Sequence, residues 1–227
     1  MDEVLQLLLK NNIEENVAKG LAKYAELLSE ANKKANLTRI TSPEDVVYKH
    51  LLDSLTAVPY LKNGIKVLDI GTGGGIPGIP LAVARPDLKI TMLDATENKL
   101  KFVAGFAEEL HTTAKVVWGR AEMLAHGEMR GAFDAVVSRA VAALPVLTEI
   151  SAAFIKKGGL FIAYKGMNAA EEAKEAASAA KKCGFGPFRV IDAKVGEFEH
   201  KLVIAEKIAE TAPSIPRTWA KIKSKPF

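Results

Sequence analysis

The sequence predicts an α/β fold: a mostly parallel seven-stranded sheet with an antiparallel terminal hairpin, preceded by N-terminal helices. Three observations carry this. From Ile65 onward, short apolar strand-like runs alternate with helical stretches, the pattern of a parallel sheet covered on both faces. The last two runs, 188–192 and 201–205, have between them only the short segment 193–200, which contains Gly196 and no helix. They therefore pair antiparallel at one edge. Directly after the first run, Gly71-Thr72-Gly73-Gly74-Gly75-Ile76-Pro77-Gly78 places five glycines in eight positions, a tight loop between a buried strand and a helix.

Taken in order, residues 1–61 read as helices. Val17, Leu21, Tyr24 and Leu28 fall at helical spacing on one face, as an amphipathic helix requires. Residues 36–40, Asn-Leu-Thr-Arg-Ile, form a short polar–apolar segment suited to an extended arm. Ser42-Pro43-Glu44-Asp45 opens the next helix, with a capping hydroxyl, proline at the first position and acids in the first turn. That helix carries Val46, Val47, Leu51, Leu55 and Val58, and it sets His50 and Asp53 three apart on one face. Beyond it, strands are expected at 67–70, 90–93, 114–118, 135–137 and 160–163, and helices at 76–85, 96–110, 121–125, 144–156 and 169–182. The expected division is a helical segment at 1–61, a sheet domain at 62–208 and a basic tail at 209–227.

Composition narrows the class. Of the 227 residues, 48% are hydrophobic and 26% charged, which is ordinary for a soluble globular chain. The acidic start Met1-Asp2-Glu3-Val4 lacks the basic region of a secretory signal, and no apolar run is long enough to span a bilayer. A cytoplasmic protein with no membrane association is expected, with a monomer as the default. The one cysteine, Cys183, permits neither an internal disulfide nor a cysteine cluster for zinc. It reads as a small packing residue, and no metal site is expected. The net charge of +4 equals the four bases of the last fifteen residues, Arg217, Lys221, Lys223 and Lys225, which have no acid among them. Together with Trp219, which reads as exposed, that proline-bracketed tail suits a phosphate backbone.

The glycine loop asks for a nucleotide-like ligand. Gly73-x-Gly75-x-x-Gly78 formally satisfies the dinucleotide fingerprint, with Asp94 at the end of the second strand as the ribose acid. Three features point away from a nicotinamide cofactor. Asp69 sits inside the strand end, Pro77 interrupts the helix start that a pyrophosphate would need, and the terminal hairpin is foreign to the usual dinucleotide fold. S-adenosyl-L-methionine needs close backbone approach without an anion nest, and Asp94 can still accept both ribose hydroxyls.

The run from Asp69 to Ala82, Asp-Ile-Gly-Thr-Gly-Gly-Gly-Ile-Pro-Gly-Ile-Pro-Leu-Ala, resembles the glycine motif of the bacterial glucose-inhibited division protein B family, the small-subunit ribosomal RNA guanine-N7 methyltransferases. The likeness continues through Asn36-Leu-Thr-Arg-Ile40, His50-Leu-Leu-Asp53-Ser54, Leu93-Asp94-Ala95, Arg120-Ala121-Glu122, Ser138-Arg139-Ala140, Lys165-Gly166 and Pro216-Arg217. It implies a Rossmann-like S-adenosylmethionine-dependent methyltransferase that modifies N7 of a guanine in 16S ribosomal RNA, within the small subunit. Carried over by position, Gly71, Gly73 and Ile76 lie by the methionine part, Asp94 takes the ribose, Ala121 and Glu122 lie beside the adenine, and Arg139 lies near the methyl donor. The tail departs from the family pattern at Ala220 and Ile222, and His200 stands where the family usually has arginine.

Guanine N7 already exposes a lone pair at neutral pH, so no general base is required. Proximity and alignment supply the catalysis, with Arg139 and Lys165 positioning the guanine by O6 or an adjacent phosphate. His50 and Asp53 are candidates for the mouth of the site. Two alternatives differ in class: an NAD-dependent oxidoreductase, and a non-catalytic module that binds an adenosine ligand and RNA.

Overall fold

Chain periodicity becomes structure in the expected order. A computed structural model describes residues 2–227, so that Met1 of the acidic start lies outside the described residues. Helices α1 (Asp2–Lys10) and α2 (Glu15–Ala35) come first. Ala18, Leu21, Tyr24, Ala25 and Leu28 form the buried stripe of α2, with Val17 half-buried at its margin. Asn36 closes α2 in the left-handed region (φ 47°), where asparagine is tolerated, and residues 36–38 continue without regular structure. Ser42 caps the next helix as expected, its side chain accepting from the Asp45 amide.

That helix is not one regular α-helix. It runs as α3 (Pro43–Val46), a π-helical turn Val47–Leu52, then α4 (Asp53–Leu55) and a 3-10 turn Val58–Tyr60. Val47, Leu51 and Leu55 recur every four residues, a spacing that an α-turn and a π-turn both accommodate, so the hydrophobic pattern does not distinguish them.

The sheet comprises β1 (Lys66–Ile70), β2 (Lys89–Asp94), β3 (Lys115–Trp118), β4 (Phe133–Arg139), β5 (Ile155–Lys165), β6 (Arg189–Val195) and β7 (Phe198–Glu206). Its order is β3-β2-β1-β4-β5-β7-β6. β1 to β5 pair in parallel, and β7 and β6 join antiparallel at the edge. The helices are α5 (Gly78–Ala84), α6 (Glu97–Glu109), α7 (Ala121–Leu124), α8 (Leu144–Ala152), α9 (Ala169–Glu175), α10 (Ala177–Lys182) and α11 (Trp219–Ser224).

Three expectations are corrected. The hairpin turn is far shorter than 193–200: the strands run to Val195 and resume at Phe198, and Gly196 turns at φ +59° against the Tyr48 ring. The helix expected to 156 stops at Ala152, because β5 already starts at Ile155. The alanine-rich helix at 169–182 is broken at Ala176, which nothing in its composition marks.

One face of the sheet packs Val67, Ile90 and Met92 with Leu8, Leu21, Tyr24 and Val47 from the N-terminal helices. The other packs Leu68, Val136 and Phe161 with α8, Cys183 and Ile222. Burial pushes the Cys183 thiol up to about 12, so it is a packing group. No helix of the described residues is long and apolar enough to cross a membrane.

Candidate active site

Strand order reverses between β1 and β4, and open α/β sheets hold ligands at the carboxyl ends of the strands beside such a point. The carboxyl ends of β1, β2, β3 and β4 surround a cavity of about 480 Å³, within the roughly 300–1,000 Å³ range of small-molecule sites. The Ser138 hydroxyl donates to the Ile70 carbonyl (2.8 Å), stitching β4 to β1 at that point.

The loop after β1 forms the floor. Gly71 and Thr72 donate their amides to the Leu93 carbonyl at 2.7 and 3.1 Å. Gly71 has φ +72°, and a Cβ there would stand 2.2 Å from Val141 Cγ2, so this position needs glycine on both counts. The N-terminal helices fix the loop from outside: Tyr24 donates its hydroxyl to the Gly74 carbonyl at 2.8 Å.

Asp69 decides what the loop can hold. Its buried carboxylate Oδ2 accepts from Thr72 Oγ1 (2.6 Å) and from the Gly78 amide (2.9 Å). The Ile79 amide is bonded to the Gly75 carbonyl, and Pro77 and Pro80 have no N–H. The first turn of α5 therefore has no amide left over for a phosphate. A dinucleotide pyrophosphate lacks its seat here, whereas an uncharged nucleoside does not need one.

Asp94 ends β2, half-buried. Its Oδ2 accepts from the Gly73 amide (2.9 Å) and its Oδ1 from the Thr96 amide (2.8 Å). It thus tethers the glycine loop and the start of α6 together. Each oxygen keeps a second lone pair, which is the donor-accepting capacity a ribose diol requires. Beyond β3, Glu122 is buried on α7 and accepts from Arg120 Nε at 2.6 Å.

At the end of β4 the chain turns at Ala140 with φ 57°, a left-handed conformation that costs a non-glycine residue roughly 1–3 kcal/mol. Arg139, which precedes it, is held from three directions. Nη1 donates to the Lys49 carbonyl and to Asp53 Oδ2 (2.9 Å), and Nη2 faces His50 Nδ1 at 2.9 Å. The π-turn helps, because the Asp53 amide bonds to the His50 carbonyl and the Lys49 carbonyl accepts from the arginine. Three of five guanidinium hydrogens are thereby committed, and two remain.

All seven residues that the family resemblance assigns to the cofactor (Gly71, Gly73, Ile76, Asp94, Ala121, Glu122 and Arg139) line this one cavity. Lys165 does not. It lines an adjoining cavity of about 650 Å³ with Arg39, Asp53, Tyr164, Phe198 and His200. Its Nζ donates to the Ala142 carbonyl (2.8 Å) and to Glu172 Oε2 (2.7 Å), so one hydrogen of three remains. Thr38, His50, Arg139 and Ala140 line both cavities. His200 Nε2 stands 2.8 Å from Asp53 Oδ1, which places the histidine in the arginine's surroundings.

The tail differs most from its sequence reading. Arg217 is not offered to solvent: its backbone N, Nε and Nη2 all donate to the wholly buried Glu149. Trp219 is half-buried, lines the first cavity and lies under the Arg120 guanidinium, 5.2 Å from the ring centroid. Of the four tail bases, Lys221, Lys223 and Lys225 are exposed. Sequence reasoning missed Thr38 and Trp219 as lining residues; the position of Thr38 inside the 36–40 motif was the available signal. Among the described residues, no group of three or more His, Cys, Asp or Glu side chains could hold a metal ion.

Known proteins share this chain's sequence and fold. The family model described as rRNA small subunit methyltransferase G matches residues 17–201. The chain is 38% identical over 220 residues to the ribosomal RNA small subunit methyltransferase G of Clostridium tetani, covering 94% of this chain and 92% of the relative. To the protein of the same name from Desulfitobacterium hafniense it is 40% identical over 211 residues, covering 90% and 87%. In fold it is similar to Aeropyrum pernix fibrillarin, solved with natively bound S-adenosyl-L-methionine, with a TM-score of 0.53 at 15% identity over 68% of this chain and 72% of that one.

Proposed function

The chain belongs to the rRNA small subunit methyltransferase G family, an S-adenosyl-L-methionine-dependent enzyme family, and from that premise we propose that it methylates N7 of a guanine in 16S ribosomal RNA, within the small subunit. One observation supports the reading above the others: two cavities meet on Arg139, one of the size and chemistry of a nucleoside site and one lined by basic and aromatic side chains.

S-adenosyl-L-methionine, when bound, supplies an electrophilic methyl group on a sulfonium. Gly71, Gly73 and Ile76 would hold its methionine part, Asp94 its ribose, and Ala121 and Glu122 its adenine. Arg139 stands at the junction with its charge matched by Asp53, so its two remaining N–H groups serve as directed donors rather than as an unbalanced charge. Those donors orient the acceptor base. Guanine N7 needs no deprotonation, so the residues contribute alignment and exclusion of water, and alignment can supply about 7–11 kcal/mol in favourable cases. Lys165 acts on the acceptor side: its bonds to Ala142 and Glu172 hold the segment after β4 against α9, and its third hydrogen is free for a base edge or phosphate. Lys221, Lys223 and Lys225 supply sequence-independent attraction to the RNA backbone.

The test uses isotope-labelled S-adenosyl-L-methionine and small subunits lacking the modification, followed by mapping of the labelled base. A single labelled guanine, modified at N7, is expected. Absence of transfer, or label on another atom, overturns the assignment.

A further inference from the structure

We propose that the Thr38 hydroxyl distinguishes guanine from adenine at the acceptor cavity, as a hydrogen-bond donor whose direction is fixed by Arg139 through His50. The inference rests on reading the second cavity as the nucleobase site.

The argument starts at the guanidinium, which carries donors only. Arg139 Nη2 lies 2.9 Å from His50 Nδ1, so that ring nitrogen accepts. The Lys49 carbonyl also lies 3.0 Å from Nδ1, but a hydrogen on Nδ1 would point two N–H groups at each other, whereas with Nδ1 accepting that carbonyl still has Arg139 Nη1 as its donor. Burial, and after it the Arg139 charge, push His50 down to about 4, so the ring holds a single hydrogen at neutral pH. With Nδ1 accepting, the hydrogen is on Nε2.

His50 Nε2 stands 2.8 Å from Thr38 Oγ1, to which it must donate. The Ile40 amide donates to the same oxygen at 3.0 Å. A hydroxyl oxygen has two lone pairs, and both are now filled. Most threonine hydroxyls rotate to give or take a hydrogen bond as the partner demands; this one can only give. Its backbone is fixed as well, since the Thr38 amide donates to Asn32 Oδ1 at 2.8 Å. Thr38 lines both cavities, so its hydrogen is presented where donor and acceptor meet.

Guanine shows two acceptors on the edge that carries N7, N7 itself and O6, whereas adenine shows an amino donor in the O6 position. A hydroxyl committed to donation bonds O6 and opposes the amino group. Asp53 keeps the arrangement in register by holding Arg139 Nη1 at 2.9 Å. A chain of three hydrogen bonds thus converts the fixed donor character of an arginine into base selectivity.

Thr38→Val removes the hydroxyl at nearly constant shape, and Thr38→Ser keeps it. Methyl transfer is measured with RNA carrying guanine or 2-aminopurine, which lacks O6, at the target. The wild type and Thr38→Ser are expected to prefer guanine by about 10- to 100-fold in kcat/KM. Thr38→Val is expected to lose that preference by falling on the guanine substrate alone. Its S-adenosyl-L-methionine affinity, read by calorimetry, falls by no more than about threefold, the consequence of leaving His50 Nε2 and the Ile40 amide without their acceptor. Retained preference in Thr38→Val overturns the proposal, as does a histidine nitrogen spectrum placing the His50 hydrogen on Nδ1 at neutral pH. If the wild type methylates neither substrate, the proposed function fails and this inference falls with it, a result distinct from loss of preference alone.

Discussion

Replacing Arg217 by alanine tests whether the C-terminal segment is a docked part of the fold. The Glu149 side chain is wholly buried and Arg217 only 22% exposed, at 2.6 Å. Glu149 Oε1 accepts from the Arg217 amide and Nε at 2.9 and 2.8 Å, and Oε2 from Nη2. Removing the guanidinium deletes two charge-assisted bonds and leaves a carboxylate in the dark, which costs about 3–5 kcal/mol when a buried pair is broken this way. The chain has one cheaper response, to release the segment beyond Pro216 and let water reach Glu149. That release exposes Ile222, now wholly buried, at about 1.5–3 kcal/mol, and frees Trp219 from Arg120. The two responses are close in energy, so the expected loss is about 3 kcal/mol. For a chain of this size that lowers Tm by roughly 6–12 °C. Glu149→Gln is expected to cost less, because its partner arginine is partly exposed and can be rehydrated. The assay is urea and thermal unfolding, with protease cleavage near residue 217 to detect release. A loss below about 1 kcal/mol for Arg217→Ala, or a larger loss for Glu149→Gln than for Arg217→Ala, refutes the buried-carboxylate reasoning.

Gly71→Ala meets both a φ of +72° and Val141 at 2.2 Å, and is expected to weaken S-adenosyl-L-methionine binding at least tenfold, equivalent to about 1.4 kcal/mol; calorimetry with unchanged affinity would contradict the close-approach role. Burial raises Asp69 to about 7 in the folded chain against an ordinary 3.8, so between pH 4 and 7 the folded state keeps a proton that the unfolded state has lost. Its contribution to stability therefore falls as pH rises through that window, by up to about 4 kcal/mol at 1.36 kcal/mol per unit, and the stability difference between wild type and Asp69→Asn should slope with pH there; parallel curves would refute it. Lys207 is 1% exposed and its ammonium is pushed down to about 8 by burial; the folded chain sheds its proton before the unfolded one, so its contribution rises between pH 8 and 10.5, and Lys207→Met should flatten that rise in urea midpoints. Arg139→Ala is expected to lower kcat/KM at least about 100-fold, as alignment is the main source of rate; unchanged turnover and cofactor affinity would remove it from the site.

Much of the sheet was legible because its signals are local. Strand-like runs, the glycine loop and the absence of a helix between the last two runs each occupy a few neighbouring residues, and each survives in the structure. Asp94 was legible as the end of the second strand for the same reason, whereas its two amide bonds were not: one oxygen holds Thr96 and the other holds Gly73. In the tail, Arg217 and Trp219 were misread because charge and proline content describe a segment without its partner. Nothing near residue 217 announces that Glu149 lies in the interior waiting for an arginine.

On the acceptor side the residues were legible singly, but their assembly was hidden by a different physical cause. Thr38, His50, Asp53, Arg139 and His200 come from the segment after α2, the π-turn, α4, the end of β4 and β7, and apart from His50 and Asp53 no spacing in the chain relates them. They meet because β4 lies between β1 and β5, and because β7 follows β5 in register: Arg139 pairs with Tyr164, and Lys165 with Lys201. That register sets His200 one residue from the end of the β5–β7 pairing, where its imidazole can reach Asp53. In the π-turn the Asp53 amide turns to the His50 carbonyl, and the Lys49 carbonyl accepts from Arg139. The motifs 36–40, 50–54 and 138–140 are thus parts of one hydrogen-bonded object. Its direction is set at the arginine, which cannot accept, and its free end is a threonine that can only donate. A substitution at His50 that cannot both accept from Arg139 and donate to Thr38 should therefore disturb base choice before it disturbs the fold.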